Sequence, residues 1–223
     1  EPETYDDQVM VADVKGRTTQ AFKKMQIENP NHIILTEIEA EEVRIMSASA
    51  RVNPAFNEIL NMKGICEGSI FVTCPDTGLK LKIRPDKVCT ENGILYCDVK
   101  TTANIDDWRS EQQWKNPLFT FGYGFTAAYY LYVGSIFHDT ELTEYVFPIV
   151  QTSSQLGRYP VDVFSITKDD LIALGFWDEV IDSINAFKKA CDNPKLFNQR
   201  SSFPYFQHLR NEDFSDDIEV SYE

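Results

Sequence analysis

The chain has 223 residues, of which 43% are hydrophobic and 13% aromatic. That length suits one domain, and that composition can build a core, so a mostly disordered chain is excluded. The formal net charge of −14 at pH 7 argues against nucleic-acid binding by the surface as a whole, because phosphate binding normally goes with an excess of Lys and Arg. Much of the acid lies at the two ends, about 1–10 and 211–223, which we expect to be solvated or disordered extensions of a single domain.

Two further classes of protein are excluded. The longest apolar run, around Ala127 to Val133, is far shorter than the ~20 residues that a membrane span requires, so we expect no membrane partner. The five cysteines form no C-x-x-C pair of the kind that binds zinc. We interpret them as free buried thiols in a reducing cytoplasm.

The first half of the chain changes from helical to alternating periodicity. Good helix formers predict a helix over 36–51, and a second helix begins at Pro54 and ends at Gly64. Alternating residues then predict strands over 69–74, 79–86 and 94–102. The turn Pro75-Asp76-Thr77-Gly78 separates the first two of these strands.

The second half returns to helical spacing and then alternates again. We expect helices over 106–113 and 119–133, strands over 144–151 and 161–166, and a long helix over 169–191. Thr167 is a suitable N-cap for the last helix, with Asp170 as its capping-box acid. This order predicts an α/β fold with a central mixed sheet flanked by helices.

Charged side chains converge on one face of the predicted sheet. Asp98 and Lys100 are two residues apart on a strand, so both leave the sheet on the same side. Asp86 joins them if the hairpin loop has an odd number of residues, as the three-residue loop Glu91-Asn92-Gly93 has. The competing two-residue turn Asn92-Gly93 would put Asp86 on the opposite face.

Two carboxylates and a lysine on one face would be unfavourable if they were buried without compensation. Carboxylate oxygens suit Mg²⁺ or Mn²⁺, and the Val99 carbonyl offers a further oxygen. Lys100 would position a water for attack on a phosphate. The cations on the preceding strand would contact the phosphate backbone; they are Lys80, Lys82 and Arg84.

The residues 78–86, GLKLKIRPD, followed by DVKTT at 98–102, resemble the core of the PD-(D/E)XK nucleases. The preceding Thr77 completes a "TGL…RPD…DVKTT" pattern that is more closely similar to the RecE or exonuclease VIII branch. The resemblance covers about 53–132. It implies an α/β nuclease that uses Mg²⁺ to degrade one strand of linear duplex DNA from 5′ to 3′, as a ring-shaped homo-oligomer in phage-type recombination. It also implies a single-strand annealing protein as a possible partner and the cytoplasm of a bacterial or phage-infected cell as the location.

Carried over by residue, the resemblance makes Asp86 and Asp98 metal ligands and Lys100 the catalytic lysine. Glu67, at the start of the first predicted core strand, matches a further acidic position. Two positions depart from the pattern. Asn53 stands where many relatives have a His or Glu ligand on the upstream helix. Thr126, four residues before Tyr130, stands where RecB-type relatives have Gln.

Other interpretations stay open at this stage. The same charges could be an ordinary solvated strand face with weak ion pairs. The Tyr-rich stretch 123–132 favours core packing over a base-stacking platform, because its spacing is helical. A RecB-like or endonucleolytic enzyme is an alternative to the exonuclease. So is a DNA-end-binding recombination scaffold that has lost metal competence, which the Asn53 position would favour.

Overall fold

The computed structural model describes residues 8–91, 93–155 and 157–193. Its elements in chain order are β1 (Val9–Ala12), α1 (Gln20–Glu28), β2 (Ile33–Thr36), α2 (Glu37–Val52), α3 (Pro54–Asn61), β3 (Gly64–Cys66), β4 (Ile70–Thr73), β5 (Lys80–Ile83), β6 (Lys87–Cys89), β7 (Leu95–Cys97), β8 (Lys100–Thr102), a 3₁₀ helix (Ile105–Arg109), α4 (Pro117–Thr120), α5 (Tyr123–His138), β9 (Glu144–Gln151), β10 (Val161–Thr167), α6 (Lys168–Ala173) and α7 (Phe176–Asp192).

The central sheet is mixed, with the strand order β10-β9-β7-β6-β3. The hairpin pairs are antiparallel, whereas β7 and β8 both run parallel to β9 in one continuous register. β7 and β8 are therefore two halves of one strand that is interrupted at Asp98 and Val99. The predicted strand over 94–102 is confirmed apart from this interruption.

Pro148 accounts for the interruption. The Asp98 N–H donates to the Val146 carbonyl at 3.2 Å, so the parallel ladder would next need the N–H of residue 148 to bond the Asp98 carbonyl. Proline has no N–H, and the bond cannot form. The chain thus leaves regular pairing at Asp98 and Val99, the first two residues of the DVK sequence.

Helices cover both faces of the central sheet. On one face Tyr96, Tyr145 and Phe147 pack in the largest apolar cluster, together with residues of α5, α6 and α7. On the other face Cys97, Val146 and Val150 pack against residues of α2 and α3. The predicted architecture, a mixed sheet flanked by helices, is confirmed.

A separate antiparallel hairpin, β4–β5, packs its apolar face into the larger cluster through Ile70, Leu81 and Ile83. The sequence predicts one strand over 79–86, but β5 ends at Ile83 and β6 begins at Lys87. The turn Arg84-Pro85-Asp86 separates them, because Pro85 cannot donate to a ladder.

Two predicted helices have different bounds for a backbone reason. The backbone of Gly122 is left-handed, with φ of 68°, and separates α4 from α5. α5 therefore begins at Tyr123 and not at residue 119. Gly175, with φ of 84°, divides the predicted helix over 169–191 into α6 and α7. Glycine adopts these left-handed angles without the steric penalty of a Cβ. The helix expected over 106–113 is only the short 3₁₀ helix.

The predicted cap at Thr167 is confirmed, and the structure adds a second capping box at Thr36. Thr36 caps α2 in a capping box with Glu39, and Thr167 caps α6 in another with Asp170. Of the five cysteines, Cys66 and Cys191 are exposed rather than buried, and all five thiols are free. Among the described helices, none is both long and apolar enough to cross a bilayer.

The N-terminal part forms a small unit that the sequence did not predict. β1 and β2 pair in parallel, and α1 connects them over a cluster of Ala12, Phe22 and Ile34. β1 begins at Val9, so residues 9 and 10 belong to a strand and not to the acidic extension expected over about 1–10. Residues 1–7 and the predicted extension at 211–223 lie outside the described residues.

Candidate active site

The register of β6 and β7 decides which side chains share a face. Lys87 pairs with Cys97 and Cys89 with Leu95. Extending this register by one residue puts Asp86 directly opposite Asp98, so both carboxylates lie on the face covered by α5. This is the parity that an odd-numbered loop requires, and the competing two-residue turn is excluded.

Backbone amides lock the two carboxylates together. The Asp86 N–H donates to Asp98 Oδ1 at 3.1 Å, and the Val99 N–H donates to Asp86 Oδ2 at 2.7 Å. The amide of Asp86 thus holds the Asp98 carboxylate, and the amide of Val99, in the irregular backbone next to Pro148, holds the Asp86 carboxylate. Each carboxylate still has lone pairs to offer, because an ionised carboxylate accepts about four hydrogen bonds.

Lys100 completes the group. Its Nζ donates to Asp98 Oδ2 at 3.3 Å and lies 5.1 Å from the centre of the Tyr123 ring on α5. The Asp98 side chain is 5% exposed and that of Lys100 is 20% exposed, so the ion pair is largely removed from water. A pair in this setting is held in place more firmly than a surface ion pair.

The electrostatics of the site are unfavourable for two ionised carboxylates. Burial and then the negative charge of Asp98 raise the pKa of the Asp86 carboxyl, although the Val99 N–H and Lys100 partly oppose this. Like charges placed directly opposite on neighbouring strands destabilise a sheet. The arrangement therefore favours a bound cation.

Two tyrosines border the carboxylates. Tyr130 on α5 donates its hydroxyl to the Arg84 carbonyl at 3.3 Å, which ties the turn before Asp86 to this helix. Tyr145 on β9 is fully buried, and its hydroxyl has no hydrogen-bond partner. It lies near the Asp98 carboxylate but outside hydrogen-bond geometry; burial and then that charge raise the pKa of Tyr145 well above its usual value.

Glu67 lies beside the site rather than within a strand. It follows β3 with a left-handed φ of 55°, and its N–H donates to the Asp86 carbonyl at 3.0 Å. Its carboxylate pairs with Arg84 Nε at 3.2 Å, and both side chains are more than half exposed. The structure thus brings Glu67 and Arg84 to the rim. The sequence predicted that Glu67 begins a core strand. In the structure it follows β3 instead.

Lys80 and Lys82 lie in the β4–β5 hairpin and not in the sheet that carries Asp86. Lys80 Nζ donates to Thr73 Oγ1 at 2.8 Å, and Lys82 Nζ lies 5.3 Å from the centre of the Phe71 ring. Both lysines are exposed. They share the exposed face of β5, as the sequence predicted, but β5 belongs to a separate sheet, so they do not continue the row of Asp86, Asp98 and Lys100 on one sheet face.

Asn53 is not part of the site, which corrects the alignment that put it at a ligand position. Asn53 caps α3: its Oδ1 accepts from the Phe56 N–H at 3.0 Å, and its Nδ2 donates to the Val161 carbonyl at 3.1 Å. The helix it caps covers the other face of the sheet. Both polar atoms of the amide are already used, so Asn53 is a structural residue.

Thr126 lies on α5 one turn before Tyr130, as the resemblance implies. Its hydroxyl donates to the Gly122 carbonyl at 3.2 Å, within the first turn of the helix. The helical spacing of Tyr123, Thr126 and Tyr130 places them along one side of α5. Among the described residues, the Thr126 hydroxyl forms no hydrogen bond with Asp86 or Asp98.

The donor set fits a hard divalent cation. The described residues contain no group of three or more His, Cys, Asp or Glu side chains that could hold a metal ion, so a cation here would have only two side-chain ligands. Asp86 and Asp98 supply two carboxylates, and Mg²⁺ is usually bound through one or two carboxylates while it keeps several waters. The Val99 carbonyl remains a predicted third protein ligand.

Sequence reasoning missed three residues that shape the site. Tyr123 supports Lys100, Tyr145 lies against Asp98, and Pro148 breaks the strand at Asp98 and Val99. Tyr145 and Pro148 are about fifty positions from the residues they affect, so no local pattern could reveal them. The cation–π contact of Tyr123 could have been suspected from its place at the start of an aromatic helix.

Among solved structures, the chain is similar to a protein from Eubacterium rectale named "Putative exonuclease", with a TM-score of 0.55 and 12% identity over 89% of this chain and 71% of that chain. The alignment with a second structure, SSO0001, covers 71% of this chain and 82% of that chain at 14% identity. Its TM-score of 0.33 is too low to indicate a shared fold. No protein-family model and no curated protein matches the chain. At 12% identity the first likeness shows the fold alone, a mixed α/β fold consistent with a PD-(D/E)XK-like core.

Proposed function

We propose that this chain is a metal-dependent nuclease that hydrolyses DNA phosphodiesters at the ends of linear duplexes. The observation that carries the proposal is the convergence of Asp86, Asp98 and Lys100 on one sheet face, where the two carboxylates face each other and are only partly neutralised. The motif resemblance supplies the RecE branch, and the similarity in fold to a protein named as an exonuclease is consistent with it.

In this proposal Asp86, Asp98 and the Val99 carbonyl hold Mg²⁺ or Mn²⁺. Such an ion, when bound, polarises a phosphate oxygen and acidifies a water. Lys100 donates a hydrogen bond that positions the attacking water, and Tyr123 keeps the lysine over the site. The attacking water loses a proton to solvent and its oxygen forms a new bond to phosphorus, while the bond to the leaving sugar oxygen breaks and that oxygen takes up a proton from solvent.

Glu67 and the basic residues serve at the rim. Arg84, whose guanidinium pairs with Glu67, stands where a phosphate of the substrate would approach the carboxylates. The hairpin lysines Lys80 and Lys82 extend the basic surface for contacts with the phosphate backbone. These contacts would fix the register of the duplex and carry no sequence information.

A closed homo-oligomeric ring is part of the proposal. A ring could turn its few basic surfaces inward and its acidic surface outward, so that a chain of net charge −14 could still surround DNA. Mass measurement at micromolar concentration, with and without DNA, tests this. A strict monomer would contradict the ring and leave the active site unaffected. A single-strand annealing protein, a 5′ to 3′ polarity and a location in the cytoplasm belong to the same proposal.

The test is incubation with linear and with circular duplex DNA, each in Mg²⁺ and in EDTA. We expect loss of linear DNA in Mg²⁺ only. Nicking of the circular DNA would instead favour a RecB-like or endonucleolytic enzyme, and no loss of either DNA would favour a DNA-end-binding scaffold. The structural role of Asn53 removes the feature that favoured the scaffold.

A further inference from the structure

A groove of about 750 Å³ lies next to Lys100 and is lined by residues of β8, the 3₁₀ helix and α4. That volume is within the range of ligand-binding pockets. Tyr123 is the wall that the groove shares with the candidate active site, because its ring lies 5.1 Å from Lys100 Nζ. β8 supplies Lys100 to the site and Thr101 and Thr102 to the groove. The groove and the candidate active site are therefore adjacent.

Two large aromatic side chains in this groove are open to solvent. Trp114 is 71% exposed and Phe121 is 70% exposed, whereas their neighbour Trp108 is 2% exposed. Exposing such surface is unfavourable, and where several apolar groups gather around a concave site they often mark a binding surface. Lys115 Nζ lies 4.8 Å from the centre of the Trp114 ring, so a positive charge accompanies the aromatic surface.

The loop that carries Trp114 is held in place by hydrogen bonds. The Gln112 carbonyl accepts from the Lys115 N–H at 2.9 Å and from the Asn116 N–H at 3.1 Å. The buried Asn116 side chain donates to the Ser110 carbonyl at 3.1 Å and accepts from the Leu118 N–H at 3.0 Å. Trp114 thus stands on an ordered turn, and less conformational entropy is lost when a ligand stacks on it.

We infer that this groove binds unpaired nucleotides of the DNA strand that enters the active site, by stacking their bases on Trp114 and Phe121. This rests on the proposed function and names the form of substrate that the site takes. Stacking suits an acidic chain, because it depends on no excess of Lys and Arg, and every base has a face to stack. Lys115 and Lys100 lie where the accompanying phosphates would run. Asp107 also lines the groove and opposes phosphate binding, so the bases and not the backbone carry the affinity.

Binding is measured separately from cleavage, by the fluorescence anisotropy of a labelled (dT)₈ in EDTA. We expect Trp114→Ala and Phe121→Ala each to weaken binding roughly fivefold to 150-fold, which is the range for the loss of one base stack. Trp114→Phe should retain most of the affinity, because a phenyl ring still stacks. Phe137→Ala is the matched control: Phe137 is 52% exposed and lies about 21 Å along α5 from Tyr123, at the other end of the helix.

An oligonucleotide with abasic positions tests whether the bases make the contact. Removing bases should weaken binding to the wild-type protein and have little further effect on Trp114→Ala, because the two changes remove the same stack. In Mg²⁺, the KM of a linear duplex with a single-stranded end should rise in Trp114→Ala, with kcat changed less.

Equal binding of (dT)₈ by the wild type and by both alanine variants would overturn the inference and leave the proposed nuclease standing. Base-dependent binding at Trp114 without any cleavage in Mg²⁺ would support the groove and contradict the proposed function. If Trp114→Ala instead lowers the mass of the protein in solution, the groove is an interface between copies of the chain, and the inference is wrong.

Discussion

Asn53 and Asp98 are polar residues on opposite sides of the same sheet. They differ in whether the polar groups around them are all satisfied within the protein. Both polar atoms of the Asn53 amide have partners within the protein, at 3.0 and 3.1 Å. Each oxygen of Asp98 also has one partner, but a second carboxylate is directly opposed to it and the buried Tyr145 hydroxyl beside it has none. The first arrangement is complete without a ligand, whereas the second is not.

This comparison separates structural from functional polar groups better than residue type does. A buried group that is fully hydrogen-bonded stabilises the fold, whereas unpaired buried groups cost free energy and persist where a ligand or a reaction uses them. By alignment Asn53 stood where relatives have a His or Glu ligand, and the hydrogen bonds assign it to the fold instead.

The largest effect is expected on catalysis. Asp98→Asn and Lys100→Ala should each lower the cleavage of linear duplex DNA by about 10³-fold or more, since each removes charge that acts on the reacting phosphate. The two should differ in metal binding: calorimetry should show weaker Mn²⁺ binding in Asp98→Asn and nearly unchanged binding in Lys100→Ala. Cleavage by both variants at the wild-type rate would mean that this face is an ordinary surface.

A smaller loss is expected when the unpartnered hydroxyl is removed. Tyr145→Phe should lower cleavage by about 10-fold at most, the lower end of the range for groups around a metal ligand, because the hydroxyl lies near Asp98 without bonding to it. It should also leave the free energy of unfolding unchanged or raise it, because a buried hydroxyl without a partner is removed. If cleavage and metal affinity both match the wild type, Tyr145 has no part in orienting Asp98.

The opposite pattern is expected for Asn53. Asn53→Ala removes the N-cap of α3 and should lower the free energy of unfolding by about 1 kcal/mol, measured by urea denaturation. Cleavage per folded molecule and the Mg²⁺ requirement should not change. Asn53→Asp, which keeps the capping oxygen but loses the donor to Val161, should cost less than the alanine variant. A changed Mg²⁺ requirement would return Asn53 to the site.

The smallest effect concerns Asp86 in the metal-free protein. Because folding raises the pKa of Asp86, its ionised form disfavours the folded state. The penalty is full above the raised pKa of the folded state. It decreases as the pH falls below that pKa and is gone below the usual value of about 4. Asp86→Asn should therefore raise the free energy of unfolding in EDTA by about 0.2–1 kcal/mol at pH 7, and not below about pH 4. The asparagine can still accept from the Val99 N–H. A loss of stability at pH 7 would contradict this account of the site.

Local patterns were enough to predict the sheet, the opposition of Asp86 and Asp98, and the capping box at Thr167. The opposition follows from strand alternation and from the odd loop, both of which are encoded within about fifteen residues. The division of the C-terminal helix at Gly175 and the end of β5 before Pro85 also had local signals, which the prediction underweighted. Asn53 followed by Pro54 is a typical start of a helix and could have been interpreted in that way.

The rest depended on contacts between distant parts of the chain. Pro148 acts on Asp98 and Val99 only because β9 runs parallel to β7 and β8, and a parallel pair needs a long connection. The same topology brings Tyr145 to Asp98. The parallel β1–β2 unit was missed because each strand has four residues, which is too short for alternation to be distinctive.

The central claim is that the incomplete polar cluster on the α5 face is a divalent-metal site. A crystal of the protein soaked with Mn²⁺ tests it directly, because the anomalous scattering of manganese locates the ion without reference to activity. The account predicts manganese bound between the carboxylates of Asp86 and Asp98. Manganese bound elsewhere, with both carboxylates free of metal at a saturating concentration, would contradict it.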